Sequence, residues 1–309
     1  MTFRRRVEHA SRGRAGPAIA LVWWAVAFVL LAASPVAQAE PVAAKIEEAD
    51  TEHMFGFTEG SEIGEKGETE LLSETTGHFG KFRGSYSQIA SMIEAKYTLT
   101  DRFRVSGAAT LAYYDVSGVP GMDDRRQASV QSISFSARYR LLDHQQAPFA
   151  LTLSAEPRRG FVDEWSGAPA DEIGAVFAAL ADRELIPDRL FGAFDLSYEP
   201  ERTRLHGAPE ISRQATFGVG AGLTALTAAG VFVGVDVRYF RQYDGLPLNT
   251  FAGQALYLGP TFYANLGPHA LISAAWEIQV WGAASGGSAG LDLVHFDRHQ
   301  AKLRIAVMF

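Results

Sequence analysis

From Glu68 to the C-terminus the chain repeats one pattern: about ten to fifteen residues in which apolar and polar side chains alternate, followed by a break. Alternation with period two places successive side chains on opposite faces of a strand. Twelve such units are legible, at 68–77, 86–99, 102–115, 128–142, 148–157, 171–183, 189–200, 212–226, 230–243, 253–266, 269–282 and 297–309. One parity is apolar: Ile89, Ile93, Ala95, Tyr97 and Leu99 share it in the second unit, and Phe103, Val105, Ala109, Leu111 and Tyr113 in the third. The same holds for Ile133, Phe135, Ala137, Tyr139 and Leu141, and for Val231, Val233, Val235, Val237 and Tyr239. Three places fit less well. Pro260 interrupts the tenth unit and calls for a bulge, Ile173 to Ala181 is apolar on both parities and admits a helix, and the first unit alternates least clearly.

After the first hairpin the breaks alternate between short (100–101, 143–147, 184–188, 227–229, 267–268) and long (116–127, 158–170, 201–211, 244–252, 283–296). A soluble sandwich has no reason to sort its connections in this way, whereas a membrane barrel with tight turns at one rim and longer loops at the other does. Past the N-terminal region no apolar run is long enough for a spanning helix. A closed barrel is then the way to satisfy every backbone group in lipid. The last twelve residues, Arg298 to Phe309, carry Leu303, Ile305, Val307 and Phe309 on one face and end on the aromatic. This ending resembles the C-terminal assembly signal of bacterial outer-membrane β-barrel proteins. The resemblance implies an all-β fold, a transmembrane antiparallel up-and-down β-barrel of 12 strands over residues 68–309. It also implies outer-membrane lipid and the barrel-assembly machinery as partners.

The N-terminus agrees with export. Arg4, Arg5, Arg6, Arg12 and Arg14 precede an apolar run from Ala18 to Ala33, and Ala37-Gln38-Ala39 follows as a small-residue cleavage site, so residues 1–39 read as a signal peptide. Without them, 28 basic and 35 acidic residues become 23 and 34, a formal charge of −11 that disfavours nucleic acid as a partner. The chain has no cysteine, which removes disulfides and thiolate chemistry.

Residues 40–67 form an acidic leader with one apolar knot, Met54-Phe55-Gly56-Phe57. The parity opposite the apolar one carries Glu94, Lys96, Arg104, Arg138, Arg140, Asp236, Arg238, Glu277, Lys302 and Arg304, the candidate lumen lining. Two readings stand: a charged constriction that selects solutes, and a salt-bridge network that fills a narrow barrel. If loop 283–296 closes a symmetric hairpin, Glu277 faces Lys302; folding back at Ala228 sets Asp236 against Gly220 and Arg238 against Gly218. Glu70 and Glu74 are expected to meet Lys302 and Arg304 where the first and last strands close the barrel. Gly218, Gly220 and Gly222 leave a bare stripe on the inner wall. The run lacks the strand-turn-helix context of a nucleotide loop.

Charge and space therefore allow the leader to dock through Phe55 and Phe57 against Gly218, Gly220 and Gly222, the alternative being a solvated tail. His295, Asp297 and His299 resemble a metal cluster, but on a strand residues four apart lie about 13 Å from each other. No metal site and no cofactor is expected, and no Ser/His/acid grouping suggests an enzyme. The leading expectation is a small channel for passive transport of small polar or charged solutes. Alternatives are a sealed structural or surface-interaction barrel, a barrel-embedded hydrolase, and a soluble exported sandwich.

Overall fold

The computed structural model describes residues 50–287 and 290–309. The expected signal peptide and the first residues of the leader, 40–49, lie outside the described residues. Twelve strands follow one another: β1 Thr69–Phe79, β2 Ser85–Thr100, β3 Phe103–Ser117, β4 Arg125–Leu142, β5 Ala150–Val162, β6 Pro169–Ile186, β7 Leu190–Leu205, β8 Ser212–Leu226, β9 Phe232–Asp244, β10 Phe251–Gly267, β11 Ala270–Ala284 and β12 His299–Met308. Each pairs antiparallel with its sequence neighbours, and β1 also pairs with β12, closing an up-and-down barrel. Closure leaves no open edge, as a sheet in lipid requires.

The outward face is apolar. Leu111, Ile133, Phe135, Phe177, Phe194 and Val233 are each close to half exposed, on the parity read from the sequence. A water-soluble protein does not present such a band around its whole girth; this is a transmembrane barrel. Val235, 39% exposed and cross-strand from Leu223, sits within that band. Val235→Arg should destabilise the barrel by about 2–4 kcal/mol if it lies near the bilayer midplane, read as a lowered urea midpoint in lipid vesicles. At Gly234 the limit is packing instead, because a Cβ there would approach Thr261 Oγ1 at 2.6 Å.

Several expectations are corrected. Residues 173–181 are strand, not helix: within β6, Ile173 and Phe177 point outward while Glu172, Leu180 and Asp182 are buried inside. The bulge attributed to Pro260 lies between Leu256 and Tyr257. Pro260 keeps its place opposite Val235, and the ladder to β11 passes from Leu258 to Thr261 without it. The long breaks are partly strand: β5 runs to Val162 and β6 starts at Pro169, leaving 163–168, so the two rims differ less in loop length than the sequence suggests. Tyr113, on the apolar outward parity, is not exposed but covered by Arg126, which donates to its hydroxyl at 2.9 Å.

Two hairpin registers are off by two residues. Asp236 faces Gly222 and Arg238 faces Gly220, because the turn closes through Thr227 and Val231 rather than at Ala228. Glu277 faces Gln300 and Lys302 faces Ala275. A shift of two keeps parity, so these side chains still point inward.

Candidate functional site

Residues 50–67 lie inside the barrel, entering and leaving at the rim of short turns. Three successive features of the leader find three different surfaces on the wall. Met54 and Phe55, both fully buried, pack against Leu72, Phe191, Phe232, Tyr263, Leu271 and Ala306, apolar residues on the inner parity near that rim. Burial of this kind is worth about 1.5–3 kcal/mol for each large side chain. Gly56 forms the tip. Its φ of 85° suits glycine, and a Cβ there would meet Thr261 Cγ2 at 2.6 Å.

The second surface is basic. Glu52 accepts from Arg104 Nη1 at 2.6 Å and Nη2 at 2.5 Å, from Lys96 Nζ at 2.9 Å and from Arg138 Nη1 at 3.0 Å. Glu59 bridges Arg138 Nη2 at 2.5 Å and Arg304 Nη2 at 3.0 Å, and Glu62 pairs with Arg140. The planar guanidinium fork of Arg104 matches the Glu52 carboxylate bidentately, the strong form of such pairs.

The third surface is a set of wall aspartates that take the leader's N–H and O–H groups. Asp236 accepts from the Phe57 amide at 2.7 Å, the Thr58 amide at 2.9 Å and Thr58 Oγ1 at 2.6 Å. Asp182 accepts from Thr51 Oγ1 at 2.8 Å and the Ser61 amide at 2.5 Å, and Asp195 from the Glu59 amide at 3.3 Å. The loop thus has its backbone donors satisfied by the barrel, which a buried irregular segment needs.

The candidate residues separate as follows. Lys96, Arg104, Arg138, Arg140, Asp236 and Arg304 bind the leader directly. Arg238 stacks over the Phe57 ring at 3.9 Å while it pairs with Glu277 at 2.6 Å, and Lys302 lies 4.7 Å from the same ring. Glu277 therefore takes Arg238 and not Lys302. Glu94 is half-buried and accepts from Ser106 Oγ at 2.5 Å. At the closing seam Glu74 pairs with both Arg304 and Lys302, whereas Glu70 turns to Lys96 and His53, each at 2.9 Å. Within the glycine stripe, a Cβ on Gly222 would meet Phe55 Cβ and one on Gly220 would meet Thr58 Oγ1, both at 2.7 Å; Gly218 lies instead under Ser197 and Phe240. In the C-terminal strand, Val307 is packed and Phe309 is 67% exposed, with Leu303 and Ile305 half-buried on the same parity.

Two carboxylate groups come close enough for a metal ion, Glu52–His53–Glu70 and Glu164–Glu172–Glu201. Each already holds a side-chain cation: Lys96 in the first, and Arg158, 2.6 Å from Glu201 and 3.0 Å from Glu164, in the second. His295 pairs with Asp292 and His78 with Asp297, so His295, Asp297 and His299 do not converge.

The leader's carboxyl groups divide by environment. Burial works against ionisation of Glu52, but Arg104, Lys96, His53 and Arg138 outweigh it and hold the group well below its ordinary value. Glu59 is held low in the same way, burial again being outweighed, by Arg138, Arg304 and Lys302. Asp50 is pushed up to about 6 by burial, with Glu52 and Glu70 adding to the push against His53. The signs are opposite. Stabilisation by Glu52 and Glu59 is complete above their ordinary value of 4.5 and is lost as pH falls toward their depressed values. That from protonated Asp50 is present below its ordinary 3.8 and is lost as pH rises through about 6. Docking should therefore be tightest near pH 4.5, weaken as pH falls, and weaken also as pH rises to about 6, above which it levels off. Hydrogen exchange of residues 50–67 across pH 3 to 8 checks this: monotonic protection would contradict it.

The chain belongs to a family of unknown function (DUF6662), whose model matches residues 47–309. No curated protein matches it. Among solved structures it is similar to an outer-membrane channel from Pseudomonas putida F1, with a TM-score of 0.53 at 11% identity, over 81% of this chain and 98% of that one. Weaker likenesses are the NanC porin (TM-score 0.47, 8% identity, 77% and 98% covered) and the translocator domain of the autotransporter NalP from Neisseria meningitidis (0.48, 12%, 81% and 91%). The likeness to the Pseudomonas channel is one of fold, that of bacterial outer-membrane β-barrels.

Sequence reasoning missed His53 and the apolar seat; it placed Asp182 and Asp195 on the inward parity but not against the leader. The seat carried a signal: Leu72, Phe191, Phe232, Tyr263 and Leu271 are large and apolar on the parity that is otherwise polar, and all lie near one rim.

Proposed function

We propose that this chain is an outer-membrane channel for passive passage of small polar or positively charged solutes, closed at its periplasmic end by residues 50–67. The observation that carries the reading is how charge is distributed along the lumen. The cations of the wall are engaged by the leader or by Glu70, Glu74, Glu277 and the Glu164–Glu172–Glu201 group. Past the plug, Glu94, Glu156 and Glu199 face the lumen half-buried, and among the described residues no Lys or Arg nitrogen lies within 4.0 Å of them. Their partners are neutral: Ser197 Oγ donates to Glu199 at 2.9 Å, as Ser106 Oγ does to Glu94. Three such carboxylates in a narrow, low-dielectric passage favour cations over anions.

The docked leader is the barrier in this reading, held by ion pairs and an apolar seat and by no covalent link. Recordings in planar bilayers of the full chain and of a chain lacking residues 40–66 test it. A sealed barrel is the second reading, favoured by loop 285–298: its Asp292, Phe296 and Asp297 are buried within the other mouth, where Gln279 Nε2 donates to the carbonyls of Asp292 and Asp297 at 3.1 Å. It gives no current from either chain.

A further inference from the structure

The outward face of the barrel is apolar over most of its height. At the rim of the longer loops, β5 to β8 present Arg159, Arg202, Arg204 and Arg213 outward around a single carboxylate, Asp171. The strand register sets the arrangement. Ile173 stands between Arg159 and Arg202, Arg213 is cross-strand from Arg202, and Asp171 is cross-strand from Arg204.

Asp171 takes Arg159 Nη2 at 2.7 Å and Arg204 Nη2 at 2.9 Å. Among the described residues no carboxylate lies within 4.0 Å of Arg202 or Arg213. Four guanidinium groups and one carboxylate leave a local charge of three positives. Arg159, Asp171, Ile173, Arg202 and Arg204 line an open hollow of about 380 Å³. Toward the membrane the hollow continues into Ile173, 53% exposed, and Phe177, 48% exposed and stacked on Tyr198.

We infer that this sector binds the phosphorylated headgroup of a membrane lipid, with the lipid's chains lying along Ile173 and Phe177. Three arguments support it. An unpaired guanidinium on the lipid side is costly at the bilayer midplane and nearly free only at headgroup depth, which places this row at the interface. The guanidinium fork fits phosphate oxygens bidentately, where an ammonium acts only as a point charge. The charge is also concentrated there: at the same rim β1 and β11 present Phe79 stacked on Trp276, the outward Arg126 of β4 already has Asp115 at 3.7 Å, and the outward Arg241 of β9 lies over the Tyr243 and Phe251 rings. A general interfacial belt would be spread around the rim. The inference rests on the transmembrane fold and is independent of whether the lumen conducts.

The test is native mass spectrometry of the full chain in neutral detergent, titrated with phosphatidic acid or with phosphatidylcholine of the same chain length. Phosphatidic acid should be retained in preference. Each unpaired guanidinium removed should weaken it roughly fivefold, so that Arg202→Gln with Arg213→Gln weakens it about twenty-five-fold. Asp171→Asn, which removes the carboxylate that competes for these guanidinium groups, should strengthen it, a direction that a purely structural role for Asp171 does not produce. Heat-dependent gel mobility establishes that each variant is folded. Equal retention of the two lipids, unchanged binding by the folded double variant, or full displacement by millimolar inorganic phosphate would each overturn the assignment, the last by making this a site for free anions.

Discussion

A chain lacking residues 40–66 should give clear stepwise currents in planar bilayers under conditions in which the full chain gives none or much smaller ones. The leader fills the lumen at the rim of short turns, with Met54, Phe55 and Ile63 fully buried between opposite walls, so its removal opens the narrowest part of any path. The barrel itself should survive, because the β1–β12 closure and the other ladders contain no leader residue. Selectivity should change as well. Arg104, Arg138 and Arg140 lose Glu52, Glu59 and Glu62 on deletion and become a basic ring at the mouth on the rim of short turns, in series with the carboxylates farther in. The reversal potential should move toward anions at 0.1 M salt, where charges act over about 10 Å, and much less at 1 M, where they act over about 3 Å. Equal currents from the two chains would mean that the leader is not the barrier, and silence from both would mean a sealed barrel.

The barrel was legible because period two is a local property. Strand count, face and closure follow from residues such as Val231 to Tyr239 without any knowledge of neighbours, and all twelve strands lie where alternation places them. Register was less legible. A hairpin's pairing depends on how its turn closes, and the sequence around Ala228 does not reveal that Thr227 bonds to Val231. An error of two residues preserves parity, so the inward set was right while individual partners, such as Glu277 with Lys302, were not.

The leader was half legible. Its charge and its Met54–Phe57 knot gave opposite-sign partners and a need for burial, but two docking surfaces stayed hidden. The aspartates Asp182, Asp195 and Asp236 receive backbone N–H groups, which leave no mark in a sequence. The apolar seat is assembled from β1, β7, β9, β10, β11 and β12, positions far apart in the chain and near only after closure.

Glu52→Ala should weaken docking of the leader by about 3–5 kcal/mol, the cost of breaking a buried ion pair from one side, or roughly 10²- to 10³-fold in the docking equilibrium at 1.4 kcal/mol per factor of ten. The carboxylate is 3% exposed and answers three cations, which are affected unequally. Lys96 keeps Glu70 at 2.9 Å and Arg138 keeps Glu59 at 2.5 Å, while Arg104 retains no carboxylate within 4.0 Å among the described residues. The penalty should therefore be concentrated on Arg104, and replacing it as well should recover much of the loss. Arg104→Met in the Glu52→Ala background removes the stranded charge and leaves a side chain of similar reach against the remaining apolar surface. Glu62→Ala supplies the contrast: Glu62 and Arg140 have side chains 38% and 17% exposed, and water takes over most of what is lost, so the effect should stay below about 1 kcal/mol. Hydrogen exchange of residues 50–67 reads all three variants on one scale. Similar deprotection by Glu52→Ala and Glu62→Ala, or no recovery in the double variant, would remove the Glu52–Arg104 pair from its place as the main polar anchor and leave the apolar seat around Phe55 to hold the leader.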